Sequence, residues 1–462
     1  MSRIRAGVWI LLLPGALLPL RAQNDSTAPD QQEQQEAEKA KKEKQKPPEG
    51  LHLRWDRRPS IRWGDLLRVD FRFKLQNDIR GVEPEYLTEE GLYELHRGRV
   101  GIEGHVFRHF EFEIEREIKE EISDLFRIQK EIHSHPWRDV FVNFRYLRDV
   151  QVKVGKFKIP FSLDQTTGTM NLDFPKRSLI GDLLAPARDK GIMLHGRFFR
   201  RGLNYEAGIF RNDGENAEFR EVIDEVGNEE RFKTGLRTFA GRITGTPLRL
   251  TPVPAVLKDL EIGGAFTSTT VPEGLKGLRG QTVTGQTYFR HLFVHGHRLR
   301  VGTQLRWTPG PFSLKSEFIH VSEERRGQGI RGEDLPNFIS RGWYVSGTWV
   351  VTGQKFDDRD EPRKSSLPPF GRGLGAVELA GRYEAIRSGS AEHPGRPSRT
   401  PRAANILGNS DRAWTFGVNW YLSHYMKIQA NAIREKIEDL QRVPVLGRER
   451  YWTRLVRIQF VM

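Results

Sequence analysis

From Leu51 to the end of the chain, apolar and polar residues alternate one by one over long stretches. Leu67, Val69, Phe71, Phe73 and Leu75 interleave with Arg68, Asp70, Arg72, Lys74 and Gln76. Successive side chains of a β-strand point to opposite faces, so such a segment is apolar on one face and polar or charged on the other. The pattern recurs. Phe110, Phe112 and Ile114 alternate with Glu111, Glu113 and Glu115, and Leu299, Val301, Thr303, Leu305 and Trp307 with Arg298, Arg300, Gly302, Gln304 and Arg306. Val377, Leu379 and Tyr383 do the same against Glu378, Ala380, Arg382 and Glu384. No convincing amphipathic helix follows residue 51, so the domain reads as all-β. Two architectures can use such strands: a soluble sandwich with apolar faces inward, or a transmembrane antiparallel barrel with apolar faces toward lipid.

The N-terminus favours the barrel. Arg3 and Arg5 precede an apolar run, Val8 to Leu20, and Leu20-Arg21-Ala22 resembles a signal-peptidase site, so residues 1–22 read as a cleaved signal peptide. The run is short of the roughly 20 residues that an anchoring helix needs. Residues 23–50 contain the tract DQQEQQEAEKAKKEKQK, without aromatic or β-branched residues, and read as a charged periplasmic spacer, disordered or a solvated helix. A mean hydropathy of −0.58 would suggest a soluble protein. Hydropathy averages over both strand faces, however, and the alternation separates them again. The formal charge of +14 divides as well: three arginines lie in the signal and the spacer has two more acids than lysines, which leaves +13 on 51–462. Such a charge points to anionic partners, not to a fold. The absence of cysteine excludes disulfide scaffolds, thiolate metal sites and thiol nucleophiles.

Turn signals occur at Asn77-Asp78, Arg148-Asp149, Asn212-Asp213-Gly214, Pro309-Gly310-Pro311 and Asn409-Ser410-Asp411. Longer polar connections, such as Phe356 to Gly373 and Ser388 to Asp411, alternate with short ones. Short turns on one rim and long loops on the other are the organisation of outer-membrane barrels. At roughly 26 residues per strand and connection, residues 51–462 accommodate about sixteen strands, a size that encloses an aqueous channel. At the C-terminus, Trp452, Val456, Ile458, Phe460 and Met462 share one parity, interrupted by Arg454, as expected of a last membrane strand.

Residues 154–196 read VGKFKIPFSLDQTTGTMNLDFPKRSLIGDLLAPARDKGIMLHG. This stretch resembles the phosphate-selective porin O and P family, with its VG-x-F-K-x-PF strand, F-x-x-R-S segment and AP-x-RD-x-G return. GRVGIEGHVFRHFEFEIE at 98–115, RGWYVSGTWVVTGQ at 341–354, GAVELAGRYEAI at 375–386 and TFGVNWYLSHYMKIQAN at 415–431 resemble it too, in the same order. The resemblance implies a bacterial outer-membrane barrel of 16 strands with an inward-folded constriction loop. It also implies a homotrimer in outer-membrane lipid that passes inorganic phosphate, polyphosphate or other small anions by passive diffusion.

The residues can support that function. Lys153, Lys156 and Lys158 are expected in the lumen, with Gly155 as a bulge that turns Phe157, Ile159 and Phe161 toward lipid. The long segment 162–190 is the candidate constriction, with Lys176, Arg177, Arg188 and Lys190 as its cations, and Arg145 is a further candidate for the pore lining. Arginine matches phosphate oxygens with a planar fork, and lysine offers a compact charge. Glu103, Glu111, Glu113 and Glu115, with Asp173 and Asp182, would oppose anion preference. No enzyme is expected: there is no G-x-S-x-G, P-loop or H-E-x-x-H motif. His291, His295 and His297 share a parity without a nearby carboxylate, which argues against a metal or other cofactor. Nucleic acid is not an expected partner, because the basic residues are spread over many strands. The alternatives are a barrel of different solute specificity, a barrel adhesin or enzyme, or a secreted protein that binds polyanions.

Overall fold

The computed structural model describes residues 50–462 except 88, 120–135, 200–201, 218–235, 276, 290–291, 359–364, 367–372, 391–408 and 440–442. The signal and spacer expected at 1–50 therefore lie almost wholly outside the described residues. Sixteen antiparallel strands form the wall: β1 (Leu67–Glu83), β2 (Tyr93–Val106), β3 (Phe110–Glu117), β4 (Trp137–Phe144), β5 (Gln151–Lys158), β6 (Arg188–Phe198), β7 (Leu203–Phe210) and β8 (Leu236–Gly245). They continue as β9 (Glu261–Leu275), β10 (Phe293–Trp307), β11 (Phe312–Arg325), β12 (Leu335–Val350), β13 (Ala376–Gly389), β14 (Asn409–Tyr421), β15 (Met426–Ile437) and β16 (Arg450–Val461).

Each strand pairs with its sequence neighbours, and the last pairs with the first, from Trp452↔Glu83 to Val461↔Lys74, which closes the barrel. Closure removes the unpaired strand edges that lipid cannot solvate. A hairpin of Leu51–Asp56 and Arg58–Trp63 pairs with the first residues of β1, Ser60 lying opposite Asp70.

The alternation read from the sequence is the inside–outside alternation of this wall. Phe71, Ile192, Phe266, Trp343, Phe416, Trp452 and Phe460 are exposed on its outer surface, whereas Asp70, Lys74, Arg99, Arg300, Glu384 and Arg457 are buried within. A lipid-facing apolar band around a polar interior is the arrangement of a transmembrane barrel.

Two turn signals are overturned. Asn77 and Asp78 lie inside β1 and Asn409–Asp411 open β14, because cross-strand pairing overrides local turn preference. Arg148-Asp149, Asn212–Gly214 and Pro309–Pro311 do lie in connections. One rim carries the short connections 107–109, 145–150, 199–202, 308–311 and 422–425, and the other carries longer ones including 159–187, 211–235 and 276–292. The long connections 246–260 and 351–375 depart from that division, since they sit on the short-turn rim.

Candidate functional site: an inward loop and its unpaired cations

The connection 159–187 folds into the barrel. It contains two short helices, α1 (Leu163–Thr166) and α2 (Leu179–Leu183), each started by a serine cap. Ser162 Oγ accepts a hydrogen bond from Gln165 N at 3.1 Å, and Ser178 Oγ one from Gly181 N at 3.1 Å. Phe161, Leu179, Ile180, Leu183 and Leu184 form a buried cluster with Ile319 and Val321 of β11, Tyr344 of β12, Ile386 of β13 and Ile433 of β15. This cluster explains why so apolar a connection is not a free loop: its side chains need a dry surface, and the barrel interior supplies one.

Polar groups of the wall anchor the loop backbone. Glu317 of β11 accepts from Leu163 N at 2.6 Å and Asp164 N at 2.8 Å, and Glu384 of β13 accepts from Leu179 N at 2.6 Å. Both carboxylates thus meet the otherwise unpaired N–H groups at a helix start. Arg300 donates to the Leu184 carbonyl at 2.8 Å, Arg382 to those of Lys176 and Arg177 at 3.2 Å, and Arg457 to that of Pro175 at 2.5 Å. Lys427 donates to Met170 O and Leu172 O, each at 3.0 Å.

The structure distributes the sequence-derived candidates unevenly. Lys176 and Arg177 line a polar cavity of roughly 100 Å³ between the loop, His96 and Arg97 of β2, and Thr282–Gly285 of the next inward connection. Arg188 is committed to Asp139, at 3.1 and 2.6 Å, and Lys156 to Glu215 at 2.5 Å and Trp137 O at 2.8 Å. Lys158 donates to Thr167 O at 2.9 Å, and Lys153 lies over the Phe141 ring, 4.5 Å from its centroid. Arg145 sits just past β4 at the short-turn rim, exposed and paired with Glu111 at 2.6 Å. Lys190 is exposed near the exposed Ile192.

Arg188 and Lys190 thus belong to β6 and not to the constricting loop, which ends at Ala187. Phe157, Ile159 and Phe161 also differ from expectation. All three are buried, Phe157 and Ile159 with Met193, Phe210 and Ala240, and Phe161 under the loop. Gly155 has a φ of +134°, but its pairing with β4 and β6 runs on without a register shift, so the expected bulge does not form and the apolar residues after it pack in the interior instead of facing lipid.

Most of the opposing acids are neutralised locally. Arg72 pairs with Glu103 at 2.6 Å and also with Glu113, Lys74 pairs with Glu115, and Arg99 bridges Glu115 at 3.1 Å and Glu117 at 2.7 Å. Lys315 pairs with Asp173 at 2.6 Å and Arg457 with Asp78 at 2.6 Å. In the connection after β7, Asp213 meets Arg298 and Arg300 at 2.5 Å each. Burial acts to raise its carboxyl, but these two arginines hold it below the ordinary carboxylate value.

Around the cavity the pattern changes. Arg97 donates to Gln76 Oε1 at 2.6 Å, and Arg177 to the carbonyls of Asp164 and, at 3.0 Å, Thr167. Lys176, Arg97 and Arg177 make no ion pair with a carboxylate among the described residues. Burial pushes the Lys176 ammonium below its ordinary value, and Glu94 and Asp78 act in the opposite sense at longer range. Asp182 is the acid at the cavity edge. Three cations, two of them hydrogen-bonded and none with a carboxylate at ion-pair distance among the described residues, leave a local positive potential that an oxyanion would satisfy. Arg97 was not a sequence candidate: the alternation puts it in a strand but does not give its height along the barrel.

Among the described residues, neither His295 nor His297 belongs to a group of converging potential metal ligands. His297 bonds Ser268 Oγ at 2.7 Å and His295 lies 3.2 Å from Arg326 O, while His291 is outside the described residues. His96, Asp78 and Glu94 do approach one another, but Asp78 is held by Arg457, and Glu94 by Arg80 at 3.1 Å and Lys119 at 3.3 Å.

A family model described as phosphate-selective porin O and P matches residues 68–460. Porin O of Pseudomonas aeruginosa is 25% identical over 143 residues, which is 30% of this chain and 30% of that protein, so the match spans less than a third of the relative's length. Among solved structures, an anion-selective porin from Comamonas acidovorans aligns with a TM-score of 0.51 at 12% identity, covering 85% of this chain and 99% of the other. The outer membrane channel DcaP of Acinetobacter baumannii aligns with a TM-score of 0.50 at 9% identity, covering 86% and 98%. At these identities the structural likeness is one of fold.

Proposed function

Because the chain belongs to the phosphate-selective porin O and P family, we propose that this outer-membrane barrel is a passive channel and not an enzyme, that it prefers anions, and that oxyanions of the phosphate class bind within it at Arg97, Lys176 and Arg177. The observation that supports this reading is the contrast in pairing. Lumen cations such as Arg72, Lys74, Arg99 and Arg188 face carboxylates at ion-pair distance, whereas the three around the cavity do not.

An entering anion loses part of its hydration at the constriction and regains it as charge-assisted hydrogen bonds. Arg97 and Arg177 offer planar N–H forks and Lys176 a movable ammonium. Asp182 at the cavity edge keeps retention weak enough for exit, which conduction requires. Assembly as a homotrimer is part of the proposal and rests on the family. Native mass spectrometry of the detergent-extracted protein tests it.

The experiment for selectivity is the reversal potential of the protein in a planar bilayer under a KCl gradient, followed by titration with phosphate. Anion selectivity and a saturable phosphate block are expected, with the block weakened about tenfold by Arg97→Gln or Lys176→Gln, since one charge-assisted hydrogen bond is worth about 1.5–3 kcal/mol. Cation selectivity, or block unchanged in both variants, refutes the assignment.

A further inference from the structure

We propose that the outer surface of β6–β9 holds a phosphorylated, acylated lipid of the surrounding outer leaflet, with its chain in a groove and its phosphate on Lys190, Arg211 and Arg237. The groove has a volume of about 1060 Å³ and is bounded by Ile192, Leu194, Ile209, Phe239 and Phe266, with Ala207 between them. These bounding side chains are exposed on the barrel's outside, so the groove opens to lipid and not to the channel.

Gly191 and Gly208 lie in the wall beneath the groove, on the interior parity opposite to Ile192, Leu194 and Ile209. A Cβ at Gly191 would stand 2.5 Å from the Phe210 ring, and one at Gly208 would stand 2.9 Å from the Ile192 carbonyl oxygen. A larger residue at either position would therefore disturb the interior packing of Phe210 and leave the outer groove in place.

Three cations stand together at one end of this groove. Arg211 N donates to Lys190 O at 2.8 Å, and Arg237 N donates to Arg211 O at 3.2 Å, which places the three residues side by side on neighbouring segments of the wall. All three side chains are exposed, and none forms an ion pair with a carboxylate among the described residues. Arg237 holds this position with a φ of +49°, a conformation that a residue with a side chain rarely adopts. The cluster lies on the rim of the long connections, the rim that faces outward in barrels of this class.

Charge complementarity selects the occupant. Three clustered cations at the head-group level above an apolar cleft fit a ligand that is anionic at its head and hydrocarbon below. A bare hydrophobic partner would leave the cations unanswered, and a free anion would leave the groove unused.

The test uses the full-length protein extracted from outer membranes and analysed by native mass spectrometry with added diphosphoryl lipid A. Retained lipid is expected for the native chain. Retention falls about tenfold or more when Lys190, Arg211 and Arg237 are all changed to Gln. It falls similarly for Ala207→Trp, which fills the groove and leaves the cations intact. Heat-modifiable migration of each variant in unboiled gels shows that the barrel has formed. Equal retention by the variants, equal binding of dephosphorylated lipid A, or displacement by inorganic phosphate alone overturns the proposal. So does a disulfide-linked dimer of Ala207→Cys in this cysteine-free chain, because it would show a second copy seated on the groove.

Discussion

Arg97 and Arg177 approach the same cavity with their guanidinium groups differently committed. Arg177 holds the carbonyl of Asp164 and shares that of Thr167 with Lys158, so it maintains the loop as well as lining the site. Arg97 donates to one side-chain oxygen, Gln76 Oε1, across the wall. Their substitutions should therefore separate. Arg97→Gln is expected to weaken phosphate block without changing the unfolding midpoint in urea. Arg177→Gln should weaken block and also destabilise the protein by about 1–3 kcal/mol, because the Asp164 carbonyl loses its side-chain donor. Equal unfolding midpoints for the two variants would show that Arg177 carries no structural duty. Lys176 and Arg177 were legible in the sequence as cations of a loop too apolar to be free. Arg97 was not, since one residue in a strand gives no sign of what stands across the lumen from it.

The loop 159–187 owes its place to a few wall side chains whose role no local pattern reveals. Glu317 accepts from Leu163 N and Asp164 N, and Tyr344 OH donates to it at 2.9 Å. Glu317→Leu should cost about 1–3 kcal/mol for each donor left unpaired. It should free the α1 end of the loop while Glu384 still holds α2. The expected outcome is a larger and noisier single-channel conductance with the heat-modifiable shift retained, and an unchanged conductance would show that the loop does not narrow the pore. The same region explains one misreading. Phe157, Ile159 and Phe161 keep the strand period beyond Gly155, and period alone cannot say which side of the wall is apolar. Here the segment leaves the sheet after Lys158, and its apolar side chains join an interior cluster.

At the scale of the whole barrel, much of the fold was legible because every wall strand repeats the same two-faced message and the chain length limits how many strands there can be. The division of the rims was less so: 246–260 and 351–375 are long connections on the short-turn side, and loop length in sequence carries no label for side. The lumen's many ion pairs were also illegible, since partners such as Arg457 and Asp78 are separated by almost the whole barrel sequence and meet only because β16 closes on β1. Closure and pairing together set an expected salt response. Raising KCl from about 0.1 M to 1 M shortens the Debye length from ~10 to ~3 Å, so the reversal potential should move toward the value set by ion mobilities. Phosphate block at the enclosed cavity should weaken much less over that range, because buried charges are screened less than exposed ones. A parallel collapse of both would place the binding cations in open water.

Lys158 and Arg177 share a feature that bears on durability: each gives its hydrogen bonds to neutral carbonyls of the loop, at Thr167 O among others. A carbonyl satisfies the donor's geometry but cancels none of its charge. These cations are therefore pinned without being discharged, and the loop is their clamp. Selectivity then has a mechanical failure mode. If the clamp slackens, the freed side chains can swing to the nearest carboxylates, and the proposed preference for anions would be lost while the bore and the strands remain whole.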